Sequence, residues 1–373
     1  MKLTIERTDL LKAVEPAAKI IQRRNLIPIL NNVRISADGA EITVTATDLE
    51  IEIRTMAAAQ VDVAGAVTVP ADLLFDLIRR LPDGSQISFS LEEDTRLSMR
   101  CGRSHTRLPT LPASDYPDIA PGDMTHRFDM PGEVLSSLLR DTVFAASTEP
   151  TLSHLCGVYW HQFETENGPK LAAVATDGSR MMAHRVIPLP EGAMGFPAIT
   201  IPTKTVSEVA RLVDKTKSEV AIAMCASKIR VIIGQTVLTS SLLLGGFPDY
   251  NRALPKDIRN EVTVEASPLL AAIERVGIIA DRDNIRSTVF SFDDRKLTLT
   301  MANQASGDLR EEVACDFEGE AFAVGFDHRY LSKLLGIVGG DTVLMRIGGD
   351  NANTMFSTRQ GSDMYALLAP MKV

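Results

Sequence analysis

The chain has 373 residues, 45% hydrophobic and 23% charged, with a formal net charge of −9. This is ordinary globular composition, and its acidic balance excludes a protein that grips phosphate with its whole surface, because counterion release needs clustered Lys and Arg. It leaves room for a local basic face. No apolar run reaches the roughly 18 residues that span a bilayer, and the opening MKLTIERTDLLK alternates charged and apolar residues, unlike a signal peptide. The cysteines Cys101, Cys156, Cys225 and Cys315 are scattered without a CxxC pair, which predicts reduced core thiols and a cytoplasmic chain with no membrane role.

In chain order, Lys2–Arg7 alternates as a strand. Thr8 or Asp9 can cap a helix with apolar positions Leu10, Leu11, Val14, Ala18 and Ile21, and Pro16 is placed to kink it. The loop Arg23-Arg24-Asn25 leads to Ile27–Leu30. Strands are predicted at Val33–Ser36, Ile42–Ala46 and Ile51–Thr55, the first two joined at the hairpin signal Asp38-Gly39. From Thr68 to Pro117 the pattern is an exposed turn at Pro70, a short helix, then strands, closing on Asp-Tyr-Pro.

The same order returns. His126–Met130 reads as a strand and Pro131–Ala146 as a helix with Val134, Leu135, Leu138, Leu139 and Val143 apolar. Strands follow at Val158–Glu164, Leu171–Thr176 and Met181–Val186. Thr200–Arg252 repeats the second half: a turn at Pro202, a helix, three strands and Pro-Asp-Tyr. Thr68 and Thr200, Pro70 and Pro202, and Arg79 and Arg211 are each spaced by 132 residues. A third, weaker copy has a strand at Glu261–Glu265, a helix at Pro268–Ala280 with Leu269, Leu270, Ile273, Val276 and Ile279, and strands at Val289–Phe292, Lys296–Met301 and Leu309–Cys315. From Ala323 onward it repeats the second half.

A repeat this long is a domain rather than a solenoid unit. The expected fold is therefore α+β, with domains at 1–124, 125–255 and 256–373. Each has two helices laid on largely antiparallel sheets. The helix faces turned away from the sheets carry Lys12, Arg79 and Arg80 in copy one, Arg140, Lys204 and Arg211 in copy two, and Arg275 and Lys333 in copy three. Singly each is a solvated charge. Their recurrence in an acidic chain predicts a shared electropositive surface.

Catalytic constellations are missing from the sequence: GxxxxGK[ST], GxGxxG and HExxH do not occur, and Gly178-Ser179 lacks the GxSxG elbow. His154 and Cys156 are two ligands short of a metal site. Asp281-Arg282-Asp283-Asn284 lacks the glycine and spacing of a calcium loop. Tyr159 and Trp160 read as core aromatics. No cofactor or metal is expected.

The three-fold repeat and the runs NLIPIL (Asn25–Leu30), TATDLEIEI (Thr45–Ile53), ATDGSRM (Ala175–Met181), GGFPDYNRALP (Gly245–Pro255) and LLAPMKV (Leu367–Val373) resemble the bacterial beta sliding clamps, the beta subunits of DNA polymerase III. The resemblance covers the whole chain. It implies a head-to-tail homodimer of repeated clamp domains, a ring with helices lining the hole and sheets outside, that tethers the replicative polymerase to duplex DNA. Such a subunit performs no reaction, although it belongs to a DNA-directed DNA polymerase, a nucleotidyltransferase. Arg24 matches a family position that touches DNA.

The family's partner-peptide pocket, carried over by position, would comprise Leu155, Thr176, Gly178, Ser179, Arg180, Met181, Pro248, Arg252, Ala253, Leu367, Leu368, Ala369, Pro370, Met371, Lys372 and Val373. Ser179 stands where relatives often have His, and Ala369 where Met often gates the groove. Implied partners are double-stranded DNA, the polymerase alpha subunit, the clamp loader, and other polymerases and repair proteins carrying short Leu/Phe-containing peptides. The ring interface would set Thr106 and Leu108 against Ile278 and Ile279. Two other classes compete: an enzyme with a site at a domain junction, opposed by the missing catalytic cluster, and a peptide-binding scaffold that does not act on DNA, which loading onto circular DNA would separate from a clamp.

Overall fold

The computed structural model describes the chain apart from residues 22–24, 93–95, 121, 167, 215–217, 281–286, 304–306, 339, 350–351, 360–361 and 373. The first copy runs β1 (Lys2–Glu6), α1 (Arg7–Ile20), β2 (Asn32–Asp38), β3 (Glu41–Thr47), β4 (Ile51–Ala58), β5 (Gln60–Val63), β6 (Gly65–Pro70), α2 (Ala71–Ile78), β7 (Gln86–Leu91), β8 (Arg96–Cys101) and β9 (Ser104–Pro109). The second has β10 (His126–Pro131), α3 (Gly132–Val143), β11 (Gly157–Thr165), β12 (Gly168–Thr176), β13 (Met181–Pro188), β14 (Ile199–Pro202), α4 (Thr203–Val213), β15 (Glu219–Met224), β16 (Lys228–Ile233) and β17 (Thr236–Ser241). The third has β18 (Ile258–Glu265), α5 (Ala266–Ala280), β19 (Ser287–Asp293), β20 (Lys296–Asn303), β21 (Gly307–Asp316), β22 (Phe322–Asp327), α6 (His328–Ile337), β23 (Thr342–Gly348), β24 (Thr354–Ser357) and β25 (Met364–Leu368).

Every described strand pair is antiparallel. Two compact units emerge, one of Met1–Leu135, Pro190–Phe196 and Ser207–Leu242, the other of Ser136–Leu189, Pro197–Val206 and Leu243–Val373. The first unit holds a five-stranded sheet, β5-β1-β7-β8-β9, and an eight-stranded sheet, β10-β15-β16-β17-β4-β3-β2-β6. The second holds a twelve-stranded sheet, β14-β11-β12-β13-β25-β24-β23-β18-β21-β20-β19-β22. Compactness groups the chain into two while the repeat counts three, because strands of successive copies share a sheet. In the first unit Ile51–Thr55 of β4 pair with Ser240–Thr236 of β17. In the second, Met181–Arg185 of β13 pair with Leu368–Met364 of β25.

Strands such as β1 and β19 alternate as the sequence predicts, while β12 and β13 are buried almost throughout; Leu3 and Ile5 of β1, Val158 and Trp160 of β11, and Phe290 and Phe292 of β19 are all in the core. Helix boundaries differ in instructive ways. Glu6, not Thr8 or Asp9, caps α1, its carboxylate accepting from Thr8 N at 2.7 Å and Asp9 N at 3.1 Å. Arg7 opens that helix instead of closing the strand, and the helix runs through Pro16 to Ile20. Pro70 and Pro202 end strands β6 and β14 and are half-buried, so neither is an exposed turn. The α3 helix stops at Val143, short of Ala146. Gly277 lets α5 approach α6 closely, since a Cβ there would lie 2.4 Å from His328 Nε2.

Candidate functional site

The segment between β12 and β13 is wound by its own side chains. Asp177 Oδ1 accepts from the amides of Ser179, Arg180 and Met181 at 3.0, 2.8 and 3.0 Å. Thr176 Oγ1 donates to Met181 O and accepts from Gly178 N. Gly178 holds φ at 82°, and a Cβ there would lie 2.9 Å from Leu155 Cδ1. Position 178 therefore requires glycine twice over, for backbone and for space.

This loop meets two other segments of the second unit. Ala369 N donates to Arg180 O at 2.7 Å, directly after the β13–β25 ladder, and Met371 N donates to Gly325 O at 2.8 Å. On the other face of the ladder, Val174, Met182, Tyr250 and Leu367 form a buried cluster, with Phe247, Ala253 and Leu254 packed against it. Asp249 caps the short 3-10 turn Tyr250–Ala253, and Asn353 Nδ2 donates to Ala253 O at 2.8 Å.

Of the predicted pocket residues, Leu155, Met181, Leu367 and Leu368 are buried, while Thr176, Ala253, Ala369, Pro370 and Met371 are half-buried. Gly178, Ser179, Arg180, Pro248, Arg252 and Lys372 are exposed. The result is apolar surface rimmed by polar groups. Val373 lies outside the described residues. Pro370 and Met371 also border a separate groove of about 370 Å³ with Phe322, Val324 and Ile347.

Sequence reasoning missed four residues here. Asp177 ties the loop together; the signal was the Thr-Asp pair before a small residue, which favours such turns. Asp327, almost fully buried, takes Arg180 Nη1 at 3.1 Å and Arg329 Nη2 at 3.2 Å. Tyr330 stands beside Asp177, its hydroxyl pKa raised by burial and by that carboxylate. Tyr250 anchors the Pro248–Ala253 wall. Asp327 and Tyr330 come from the far end of the chain, and no local pattern marks them.

The predicted basic residues fare unequally. Lys12, Arg140, Arg275 and Lys333 are exposed on their helices, Arg79 and Arg80 are exposed just past the end of α2, and Lys204 is half-buried. Neighbouring carboxylates pair with several of them: Lys12 with Asp9, Arg79 with Asp76, Arg211 with Glu208 at 2.7 Å, and Arg275 with Glu311 at 2.8 Å. Arg211 is half-buried and folded onto its own helix, so it is not the open cation that the helix-face pattern predicts. Arg24 lies outside the described residues.

Of the predicted interface residues, Ile278 is 60% exposed and Ile279 and Thr106 are half-buried. Leu108 is fully buried within its own unit, so its side chain cannot face a partner. Asp281 to Asn284, set aside above as a calcium loop, also lie outside the described residues. Among the described residues no group of three or more His, Cys, Asp or Glu could hold a metal ion. His154 and Cys156 do not meet at one, and the Cys156 thiol points at Glu149 O. No helix among the described residues is long and apolar enough to cross a membrane.

This arrangement of three like modules, two in-chain sheet junctions and an apolar surface rimmed by polar groups has counterparts. The sequence matches the DNA polymerase III beta subunit N-terminal domain over residues 1–120, the central domain over 129–249 and the C-terminal domain over 251–372. It is 37% identical to the beta sliding clamp of Caulobacter vibrioides over 100% of both chains. A crystal structure of the Caulobacter crescentus beta sliding clamp superposes with a TM-score of 0.96 at 37% identity, covering 100% of this chain and 99% of that one. The Bartonella birtlesii sliding clamp bound to griselimycin gives 0.96 at 33% identity, covering 100% of both. The chain belongs to the DNA polymerase III beta subunit family, the non-catalytic sliding clamps of DNA replication.

Proposed function

We propose that two copies of this chain join head to tail into a closed ring around duplex DNA, in domains 1–124, 125–255 and 256–373, and tether polymerases to it. One observation carries this reading. In each in-chain junction, the last strand of a copy's first meander pairs with the last strand of the next copy's second meander, as β4 with β17 and β13 with β25. The same rule leaves one pair unmatched, β21 and β9. Among the described residues, β9 pairs only with β8, and β21 pairs with β20 and, at its far end, with β18. Joining β9 of one copy to β21 of another uses both edges, and doing so twice closes the assembly.

The two edges differ in net charge: Arg103 and Arg107 flank or lie on β9, whereas β21 carries Asp308, Glu311 and Glu312 with one base, Arg310, although Arg107, Glu311 and Glu312 also pair within the chain. Exposed Ile278 belongs to α5, which packs on β21. Thr106 and the β9 backbone would face the partner, with Leu108 supporting from beneath. Inside the ring, exposed Arg79, Arg80, Arg140, Arg275 and Lys333, with Arg24 and Lys204, would meet phosphate weakly enough to slide.

The rim around Gly178, Met181 and Met371 would take an extended peptide with Leu or Phe anchors from the polymerase alpha subunit, the clamp loader and other polymerases or repair proteins. The Bartonella birtlesii relative is bound to griselimycin, and the Caulobacter crescentus relative holds bound PEG, so relatives of this fold offer a ligand site. Such a tether would work in the cytoplasm. Native mass spectrometry and retention on circular DNA test the reading together. A dimer that stays on a closed circle and leaves after linearisation is expected; a monomer of 40.5 kDa at physiological concentration would sink the ring.

A further inference from the structure

One face of the β11–β12–β13–β25 ladder carries a group of rings that the clamp function has not used. His161 stacks on Tyr159 at 5.0 Å, and Tyr159 stacks on Phe247 at 4.5 Å with planes 3° apart. His184 is 2% exposed, stacks on Tyr365 at 4.6 Å, and neither of its ring nitrogens has a hydrogen-bond partner. Into this group the chain lays Tyr250, whose hydroxyl oxygen is 3.0 Å from His161 Nε2.

The direction of that bond follows from the other nitrogen. His161 Nδ1 is 2.7 Å from Gln162 O. A carbonyl can only accept, so Nδ1 carries the proton in the neutral ring. Nε2 then presents a lone pair, and the Tyr250 hydroxyl donates to it. Burial keeps His161 in this neutral form. The bond is a side-chain tether between the sheet and the segment from Pro248 to Ala253. Tyr250 opens the 3-10 turn that carries Arg252 and Ala253.

We propose that His161 is a positioning residue for the peptide groove: it touches no peptide itself, but through Tyr250 it fixes the wall formed by Pro248, Arg252 and Ala253. The inference rests on reading that rim as the partner-peptide site. A wall held in place before binding loses less freedom when the peptide docks. Without the tether the wall must be ordered by the peptide, and affinity falls.

The test uses the full chain and a fluorescent synthetic peptide with a Leu and a Phe anchor, followed by polarisation. His161→Phe keeps a ring for stacking but offers no acceptor, and Tyr250→Phe removes the donor. Each should weaken binding about fivefold, the worth of one neutral hydrogen bond. The double variant should be no weaker than either single one. His161→Gln keeps an acceptor and should stay within about twofold of the original affinity by the same measure. Its melting temperature should match that of His161→Phe, so that fold stability does not explain the difference.

Unchanged affinity in His161→Phe, additive losses in the double variant, or a His161→Gln as weak as His161→Phe would overturn the proposal. Pro248→Glu with Arg252→Glu separates it from the reading beneath it. If that pair abolishes binding while His161→Phe does not, only the positioning role fails. If the pair has no effect, or the original chain binds no such peptide, the groove reading fails and the inference with it.

Discussion

Leu49 holds φ at 81°, in the left-handed region where Gly178 stands at 82° in the next copy of the same loop. Both loops are tied alike: Leu49 N donates to Thr47 Oγ1 and Ile51 N to Asp48 Oδ1, as Gly178 N does to Thr176 Oγ1 and Met181 N to Asp177 Oδ1. A side chain in that region costs roughly 1–2 kcal/mol, against roughly 0.5–1 kcal/mol for the extra freedom glycine gives the unfolded chain. Leu49 is half exposed, so Leu49→Gly should raise the unfolding midpoint slightly, by up to about 1 kcal/mol; a lower midpoint in calorimetry would mean its side chain makes a compensating contact. Gly178→Ala should lose about 1–2 kcal/mol, because it adds both the strain and a methyl against Leu155. His184 sets a pH dependence. Burial pushes its folded pKa down to about 3, with neighbouring His161 adding to the effect. Its unfolded value is about 6.5. Above that pH its neutral form contributes fully to stability; below it the unfolded chain takes a proton that the folded chain refuses. Stability therefore falls as pH drops from about 6.5 toward 3, by about 1.4 kcal/mol per unit, or about 2 kcal/mol between pH 7 and 5. Denaturant melts at the two values should show that loss, and His184→Phe should reduce it; equal slopes in both proteins would assign the effect to other groups.

Each copy is closed by one backbone bridge beyond its last strand: Thr68 with Leu111, Thr200 with Leu243, and Gly325 with Met371. Met371 thus closes its module and, in the proposed peptide site, would also border the groove, a double role that no local pattern signals. Met371→Ala keeps the amide that bonds Gly325 O, so it should weaken peptide binding with the melting temperature nearly unchanged. Met371→Pro removes the N–H and should lower both, by about 1 kcal/mol for the lost bond. Peptide binding by Met371→Ala equal to the original would remove that side chain from the groove. The same contrast explains what could be read from sequence. Strands β2, β3, β4 and β11 were legible because their sequences alternate apolar with polar residues, and β12 and β13 because each is a short, nearly continuous buried run. The stripe of Leu269, Ile273 and Val276 recorded a helix in the same way. The Glu6 cap was missed because helix and strand abut with no loop, and Thr8 and Asp9, good capping residue types, lie inside the first turn and place the start too late. The Arg275 pairing with Glu311 spans 36 residues and exists only once α5 lies on β21. The Arg211 pairing with Glu208, three residues away, was visible in principle; the repeat drew attention to charge recurrence and away from the neighbouring carboxylate.

A chain of net charge −9 cannot hold DNA by general attraction, so retention has to come from enclosure, and two separable properties follow. Closure, on the proposed joint, depends on the unmatched edges of β9 and β21. Ile278→Asp places a carboxylate on exposed apolar surface beside β21, which the folded monomer tolerates because that side chain is already 60% exposed. Burying it at a joint would cost several kcal/mol before it neutralises or the joint opens. Sedimentation should therefore find folded monomers, and an intact dimer would move the interface elsewhere. Loading, on the proposed DNA-facing surface, depends instead on the helix faces. Arg79, Arg80, Arg140 and Lys333, all exposed, are the residues to reverse to Glu, and Arg211 is not, because it is half-buried and folded onto its own helix against Glu208. These are exposed positions, so each change should shift stability by only about 0.5 kcal/mol, and dimerisation should persist. Loading onto nicked circular DNA should fall at low salt, where phosphate contacts are strongest, and the deficit should shrink as salt screens both proteins alike. Once loaded, the reversed ring should remain on the circle as long as the original, since topology and not attraction holds it there. Faster loss from the closed circle would show that phosphate contact contributes to retention itself. Unchanged loading at low salt would show that these four side chains do not face the DNA.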